Sequence, residues 1–335
     1  MLINRKIAIA PMVAITDEHF RYIIRLLSKK ITLYTPMISA KSIIMGNLNT
    51  IVKQNTNDSP IAIQIATNCE NDAAKAIEIL ENKFNFDEYN LNVGCPSSRI
   101  QKVNYGACLM QNPTQVGKIL KAMKKNTKKP ISIKHRIGIR QNKKEYHEET
   151  YTELKHFVDK IIEYEIKNFI VHARIAILNG YSPEDNHNIP KLKHDFVYQL
   201  KKEYKNIFIE INGGITNSEH IKTHLSHVDS VMIGRAAAQN PYFAAKIARE
   251  FLGEKKEIPT RKEILLNMVE YVKEYNEHSA SNIILKHMMR IAYSQKNACK
   301  FRQALTAPFP PNLKKHEILL SAIEHLREDT LNSNF

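Results

Sequence analysis

Eight short runs rich in β-branched residues recur along the chain, and a helical pattern separates each from the next. They are KIAIAPM (6–12), LYTPM (33–37), IAIQIA (61–66), YNLNVG (89–94), ISIKHRI (131–137), NFIVHA (168–173), IFIEING (207–213) and SVMIGR (230–235). Most are apolar without alternation, as strands covered on both faces must be. Between the first two, DEHFRYIIRLLSKK opens with acids and closes with lysines, in line with a helix dipole. NPTQVGKILKAMKK has a proline near its start, another helix signal. A strand–helix unit repeated eight times predicts an α/β fold of the (β/α)8 TIM-barrel type. A doubly wound sheet would show fewer strands and an early GxGxxG, which is absent. After Phe251-Leu252-Gly253 the strand signals stop. From Pro259-Thr260 onward, RKEILLNMVEYVKEYNEH and IILKHMMRIAYSQ read as helix, a pattern that continues to Leu331. The expected organisation is a barrel over residues 1–255 and a small all-helical domain over 256–335.

Composition closes off several classes. The chain has 335 residues, 43% hydrophobic and 25% charged, which is globular. Cysteines stand at 69, 95, 108 and 299 with no CxxC pair, so neither a disulfide framework nor a structural zinc site is expected. Reduced thiols fit a cytoplasmic protein. No apolar run reaches membrane-spanning length. The start, MLINRKIAIAPMVAIT, has the basic-then-apolar order of a signal peptide, but Pro11 interrupts it and Asp17 and Glu18 follow, so a buried first strand is the better reading. No metal, no membrane contact and a monomer are expected.

The net charge is +15, and it is unevenly placed. Tyr89 to Lys144 holds thirteen Lys or Arg without an acid, His19 to Asn57 holds six, and Lys286 to Lys315 holds seven. Such blocks suit a polyanion bound through its phosphates. Solvated helix faces of a lysine-rich protein, as at Lys124, Lys125, Lys128 and Lys129, would look the same.

A barrel places its active site at the C-terminal ends of its strands. There the sequence shows Pro11-Met12-Val13, Gln64, NLNVGCP, Lys134 with Arg136, His172 with Arg174, Asn212-Gly213-Gly214 and Gly234-Arg235. Polar residues inside otherwise buried strands must face something that satisfies them. Glycines after the last two strands let backbone N–H groups approach an anion, with Arg235 adding charge, although Gly213-Gly214 also reads as a tight turn. Lys134 could snorkel and His172 could be a core histidine, the commoner case for a lone histidine; together with Gln64 they would supply donors and acceptors for a planar, electron-accepting heterocycle. Cys95 and Cys108 share one loop. Either could be an inert small hydrophobe, and a thiol of ordinary pKa, about 8.5, could also serve as a proton donor near neutrality.

The ordered set NLNVGCPSSRIQKVNYGACLM, ISIKHRIGI, FIVHARIAILNGYSPEDNHNIP, INGGI and VMIGRAAAQNPY resembles the tRNA-dihydrouridine synthases, most closely their DusA branch, from about Ile7 to about Thr306. The resemblance implies bound FMN, NADPH as reductant with NADH possible, and reduction of uridines 20 and 20a in the tRNA D loop to 5,6-dihydrouridine. It implies that Pro11, Met12 and Val13 line the flavin, that Gln64, Lys134 and His172 contact its ring system, and that Asn212, Gly213, Gly214, Gly234 and Arg235 hold its phosphate. Asn92 would orient the uracil. Cys108 would protonate C5 as hydride reaches C6, and Cys95 would be structural. The tRNA contacts would include Tyr105, Asn186, His187, Cys299, Lys300 and Arg302; Cys299 stands where the branch usually has arginine, and His187 where a more basic residue is common. A base in the tRNA elbow must leave its stack to reach such a pocket. The alternatives are an FMN-dependent dihydropyrimidine or dihydroorotate oxidoreductase, which has no need of the basic tail, and a non-catalytic RNA-binding barrel, which leaves Lys134 and His172 without purpose.

Overall fold

All eight apolar runs form parallel strands, shown by a computed structural model that describes residues 1–145, 150–255, 257–275, 283–306, 308 and 313–334. They are β1 (Ile7–Ile9), β2 (Leu33–Tyr34), β3 (Ile61–Ala66), β4 (Glu88–Val93), β5 (Ile131–Arg136), β6 (Asn168–His172), β7 (Phe208–Asn212) and β8 (Ser230–Ile233). Their order is sequential, and β8 returns to β1 with Ala8 opposite Met232. The circle closes between β1 and β2, where Ile9 N donates to Thr32 O at 2.9 Å and Ala8 bridges Thr32. This is the (β/α)8 barrel. Gln64, Asn92, Lys134, Arg136, His172 and Asn212 lie within the strands, in their C-terminal halves, whereas Pro11, Met12, Val13, Gly213, Gly214, Gly234 and Arg235 lie just beyond the strand ends.

The helices follow the strands in chain order: α1 (Glu18–Leu27), α2 (Ala40–Met45), α3 (Glu70–Lys83), α4 (Pro113–Lys125), α5 (Tyr151–Ile162), α6 (His194–Glu203), α7 (Ser218–Leu225) and α8 (Pro241–Leu252). Their starts are written locally. Asp17 caps α1 by accepting from Phe20 N at 3.0 Å. Asn-Pro opens both α4 and α8, the asparagine accepting from Gln115 N or Tyr242 N and the proline filling a position that needs no N–H. Gly253 ends α8 at φ +60°, in the left-handed region.

The chain divides into two units, Met1–Ala14 with Thr32–Gly234, and Ile15–Ile31 with Arg235–Phe335. The first unit holds the barrel, whose floor carries a buried charge network. Arg5 pairs with Glu88 and, at 2.7 Å, with Glu210. Tyr34 Oη donates to Glu88 at 2.8 Å, Ser132 also donates to Glu88, and Ser230 donates to Glu210 at 2.6 Å. With every partner satisfied, a buried charge set of this kind is tolerated. Two features at the other end have no counterpart in the sequence reading: Ile38–Ser39 pairs with β3, and Ile139–Asn142 pairs with Ala176–Asn179 as a separate two-stranded ribbon.

The second unit has its own apolar core. Ile23 and Leu27 of α1 pack with Tyr242, Ile264, Leu265, Met268, Leu285 and Phe301. It contains α9 (Arg261–Glu274), α10 (Ile283–Met288), α11 (Ala298–Ala304) and α12 (Lys315–Ile323). Thr260 and Glu263 form a reciprocal capping box at the start of α9. The helical reading of residues 276–278, at the end of the first tail stretch, falls outside the described residues. Among the described residues, no helix is long and apolar enough to cross a membrane.

Candidate active site

Alternate residues of a barrel strand face inward. On β4 and β5 these are Asn90, Asn92, Ser132, Lys134 and Arg136, next to Gln64 of β3, His172 of β6 and Asn212 of β7. Lys134 Nζ donates to Asn212 Oδ1 at 3.2 Å, and Asn212 Nδ2 donates to Met232 O at 2.8 Å. The Asn212 side chain is thus directed at the lysine. Burial, reinforced by the Arg136 guanidinium, pulls the Lys134 ammonium down to about 8. Arg136 is 1% exposed and donates to three carbonyls: Gly94 O at 3.1 Å, Ile175 O at 3.1 Å and Asn186 O at 3.0 Å. Burial, with Arg136 and Lys134 adding repulsion, holds His172 well below the usual histidine range, so it is neutral at pH 7. Its ring lies 5.8 Å from that of His187.

Below this layer the amides form a chain. Asn92 Nδ2 donates to Gln64 Oε1 at 2.8 Å, Gln64 Nε2 to Asn90 Oδ1 at 2.7 Å, and Asn90 Nδ2 to Ser132 Oγ at 2.6 Å. Asn92 Oδ1 accepts from Gly94 N at 3.2 Å and Cys95 N at 3.0 Å.

The loop after β4 presents the two cysteines. Gly106 has φ +74°, and a Cβ there would lie 2.5 Å from Cys95 O, so only glycine fits. Ala107 N then donates to Cys95 O at 2.8 Å. A 3-10 turn over Gly106–Gln111 carries Cys108, which is half-buried and donates from Sγ to Tyr105 O at 3.1 Å. Cys108 packs against the buried cluster of Ala107, Ala176 and Leu178, as does Ile139, so residues of the two-stranded ribbon help to enclose it. Burial pushes both thiols up, which keeps them protonated at neutral pH.

The glycine turn after β7 is also required by its surroundings. Gly213 and Gly214 have φ +124° and +74°, and a Cβ would meet Leu192 at 2.9 Å and 2.5 Å respectively. His194 Nε2 hydrogen-bonds Gly213 O at 2.9 Å. Gly234 is different: a Cβ there would make only ordinary contacts, at 3.9 Å, with Ala10 and Met12. Pro11 and Met12 are half-buried, and Val13 is 65% exposed.

The remaining candidates fall into distinct settings. Arg235 is exposed and opens the short helix Arg235–Gln239 in the second unit. Tyr105 is buried. Asn186 has no exposed surface, and its amide bonds both Ile177 N at 2.7 Å and Ile177 O at 2.9 Å, tying the insert to the ribbon. His187 is half-buried. Cys299, Lys300 and Arg302 are exposed on α11, whose Ala298 and Phe301 face its core. Sequence reasoning noted Arg136 without giving it a role, and it passed over Asn90 and Ser132. The available signal was their alternation within continuously buried strands.

A family model described as dihydrouridine synthase matches residues 8–327. A protein named tRNA-dihydrouridine(20/20a) synthase from Synechocystis sp. is 41% identical, over 90% of this chain and 88% of its own. Proteins of the same name from Pseudomonas putida and Shewanella oneidensis are 35% and 36% identical; the alignments cover 97% and 98% of this chain and 95% and 96% of theirs. With the match spanning nearly its whole length, the chain belongs to the dihydrouridine synthase family.

Proposed function

We propose that the chain reduces uridines of the tRNA D loop, at positions 20 and 20a as its relatives are named for, to 5,6-dihydrouridine, with FMN in the barrel mouth and NADPH as reductant. One arrangement carries this reading: a half-exposed, protonated thiol, Cys108, on the loop above a mouth lined by cations. Lys134 and Arg136 spend their hydrogen bonds on neutral partners, an amide and three carbonyls, so the mouth favours an anionic guest. That donor set fits a flavin mononucleotide. Bound flavin supplies the hydride for uridine C6; the residues do the rest. Gln64, Lys134 and neutral His172 hold the ring system, with Pro11, Met12 and Val13 at its border. Gly213 and Gly214 offer backbone N–H groups to the phosphate, with Gly234, in the loop after β8, and Arg235, first residue of the helix that follows, as the further candidates.

Asn212 acts by aiming Lys134, and Asn186 by shaping the insert, since each side chain is already committed. Asn92 orients the uracil, and Cys108 delivers its proton to C5. The exposed Lys300 and Arg302, beside Cys299, hold tRNA phosphates, and His187 and Tyr105 flank the entering strand. Residues 256–335 serve as the tRNA-binding part and 1–255 as the catalytic part, in a cytoplasmic monomer.

The test is the purified protein's flavin. Wild type releases FMN on denaturation, whereas Gly213→Val, which forces a β-branched side chain onto φ +124° and into Leu192, folds without it. Stoichiometric FMN retained by Gly213→Val would remove the turn from the cofactor site.

A further inference from the structure

The buried amides beneath the mouth have a fixed direction, and both ends of their chain set it. At the floor, Glu88 is ion-paired to Arg5, so it is a carboxylate and only accepts. Ser132 must therefore donate its proton to Glu88, and its oxygen must receive from Asn90. The atom of Asn90 facing Ser132 is then Nδ2, which turns Oδ1 towards Gln64. That oxygen needs a donor, so Gln64 presents Nε2 to it and Oε1 to Asn92. At the upper end, the backbone N–H groups of Gly94 and Cys95 only donate, so the atom of Asn92 they meet is Oδ1. The two ends, derived independently, demand the same orientation of all three amides. Asn90 and Ser132 are fully buried and Gln64 is 1% exposed, so water cannot relax this choice.

We propose that Ser132 and Asn90 are positioning residues, which carry the polarity of the Glu88 carboxylate through the barrel to lock the Gln64 and Asn92 amides for the heterocycle and the uracil. The inference rests on the FMN reading for what Gln64 faces. Its physical content is that Gln64, after its two relay bonds, keeps one N–H and one lone pair in a defined orientation. Asn92 spends its oxygen on the turn that ends in Cys95, and Cys95 O anchors the loop bearing Cys108. Without Ser132, the Asn90 donor is orphaned, and the direction of the chain rests on the Gly94 and Cys95 N–H groups alone.

The experiment uses Ser132→Ala and, as a second variant of similar size that removes the relay amide without adding a charge, Asn90→Leu. Hydrogen exchange of the Gln64 and Asn92 side-chain amides is followed by NMR in the apoprotein, and FMN affinity and the flavin midpoint potential are measured on reconstitution. In a variant that keeps wild-type exchange of its strand backbone amides, the side-chain amides should exchange roughly tenfold faster, and FMN should bind about tenfold more weakly, the scale of one buried hydrogen bond, with a displaced potential. Unchanged side-chain exchange in both variants overturns the relay. Faster exchange with wild-type affinity and potential overturns the positioning role. If wild type takes up no FMN, the cofactor reading fails by itself, and the relay is judged on the exchange arm alone.

Discussion

Lys134 sets burial against charge. Enclosure and Arg136 lower its ammonium to about 8, yet among the described residues its hydrogen bond goes to the neutral Asn212. An anionic guest reverses the balance by favouring the protonated form. The sign follows from linkage: with the free group titrating near 8, below the ordinary lysine range, the ammonium is present at pH 7 and lost as pH rises through 8. FMN affinity of the apoprotein should therefore fall by roughly tenfold between pH 7 and pH 9, and Lys134→Met should bind weakly with no such slope. Fluorescence titration at each pH measures it; a wild-type affinity flat across that range would contradict the assignment. At this scale the sequence was partly legible. Gln64, Lys134 and His172 stood out because a polar residue in a buried strand must face inward. The tasks of Asn212 and Asn186 were not legible, because they depend on partners such as Lys134 and Arg136 brought close only by folding.

Among the elements, the strands could be read because parallel strands are apolar on both faces, and the Asn-Pro helix starts because a cap and a missing N–H act locally. The ribbon of Ile139–Asn142 with Ala176–Asn179 could not, since each half is four residues inside a loop and shows no period of its own. Nor does periodicity name the partners of an apolar stripe: Ile23 and Leu27 of α1 share a core with Ile264, Leu265 and Met268 of α9. That core bears on how the tail should be tested. Cutting the chain after Pro259 would strip α1 of its packing against α9, α10 and α11, so loss of tRNA binding would be ambiguous. The exposed pair on α11 is the cleaner probe. Lys300→Ala with Arg302→Ala should weaken tRNA binding and lower the slope of log affinity against log salt by about 2, one for each phosphate contact released. Flavin content and the melting temperature should hold. An unchanged salt slope would take α11 out of the tRNA interface.

For the whole molecule, a net charge of +15 and three acid-free basic stretches suit a polyanion, and the proposed function requires the base to leave its stack to reach the barrel mouth. On the proposed reading, charge recruits and positions the RNA, and the thiol on the loop after β4 completes the reduction. The two cysteines of that loop separate these roles from mere packing. Both are held protonated by burial, but Cys95 anchors the loop through its carbonyl while Cys108 presents its side chain half-exposed. The most direct test is anaerobic single-turnover reoxidation of the NADPH-reduced protein by tRNA lacking dihydrouridine, with the modified base then identified by mass. Wild type should reoxidise as one uridine gains two hydrogens. Cys108→Ala, reduced by NADPH as readily, should do so roughly 10²-fold more slowly, the scale of a lost general acid, and Cys95→Ala should lose stability more than rate. Reoxidation of Cys108→Ala at the wild-type rate, or of wild type without any dihydrouridine formed, would contradict the account.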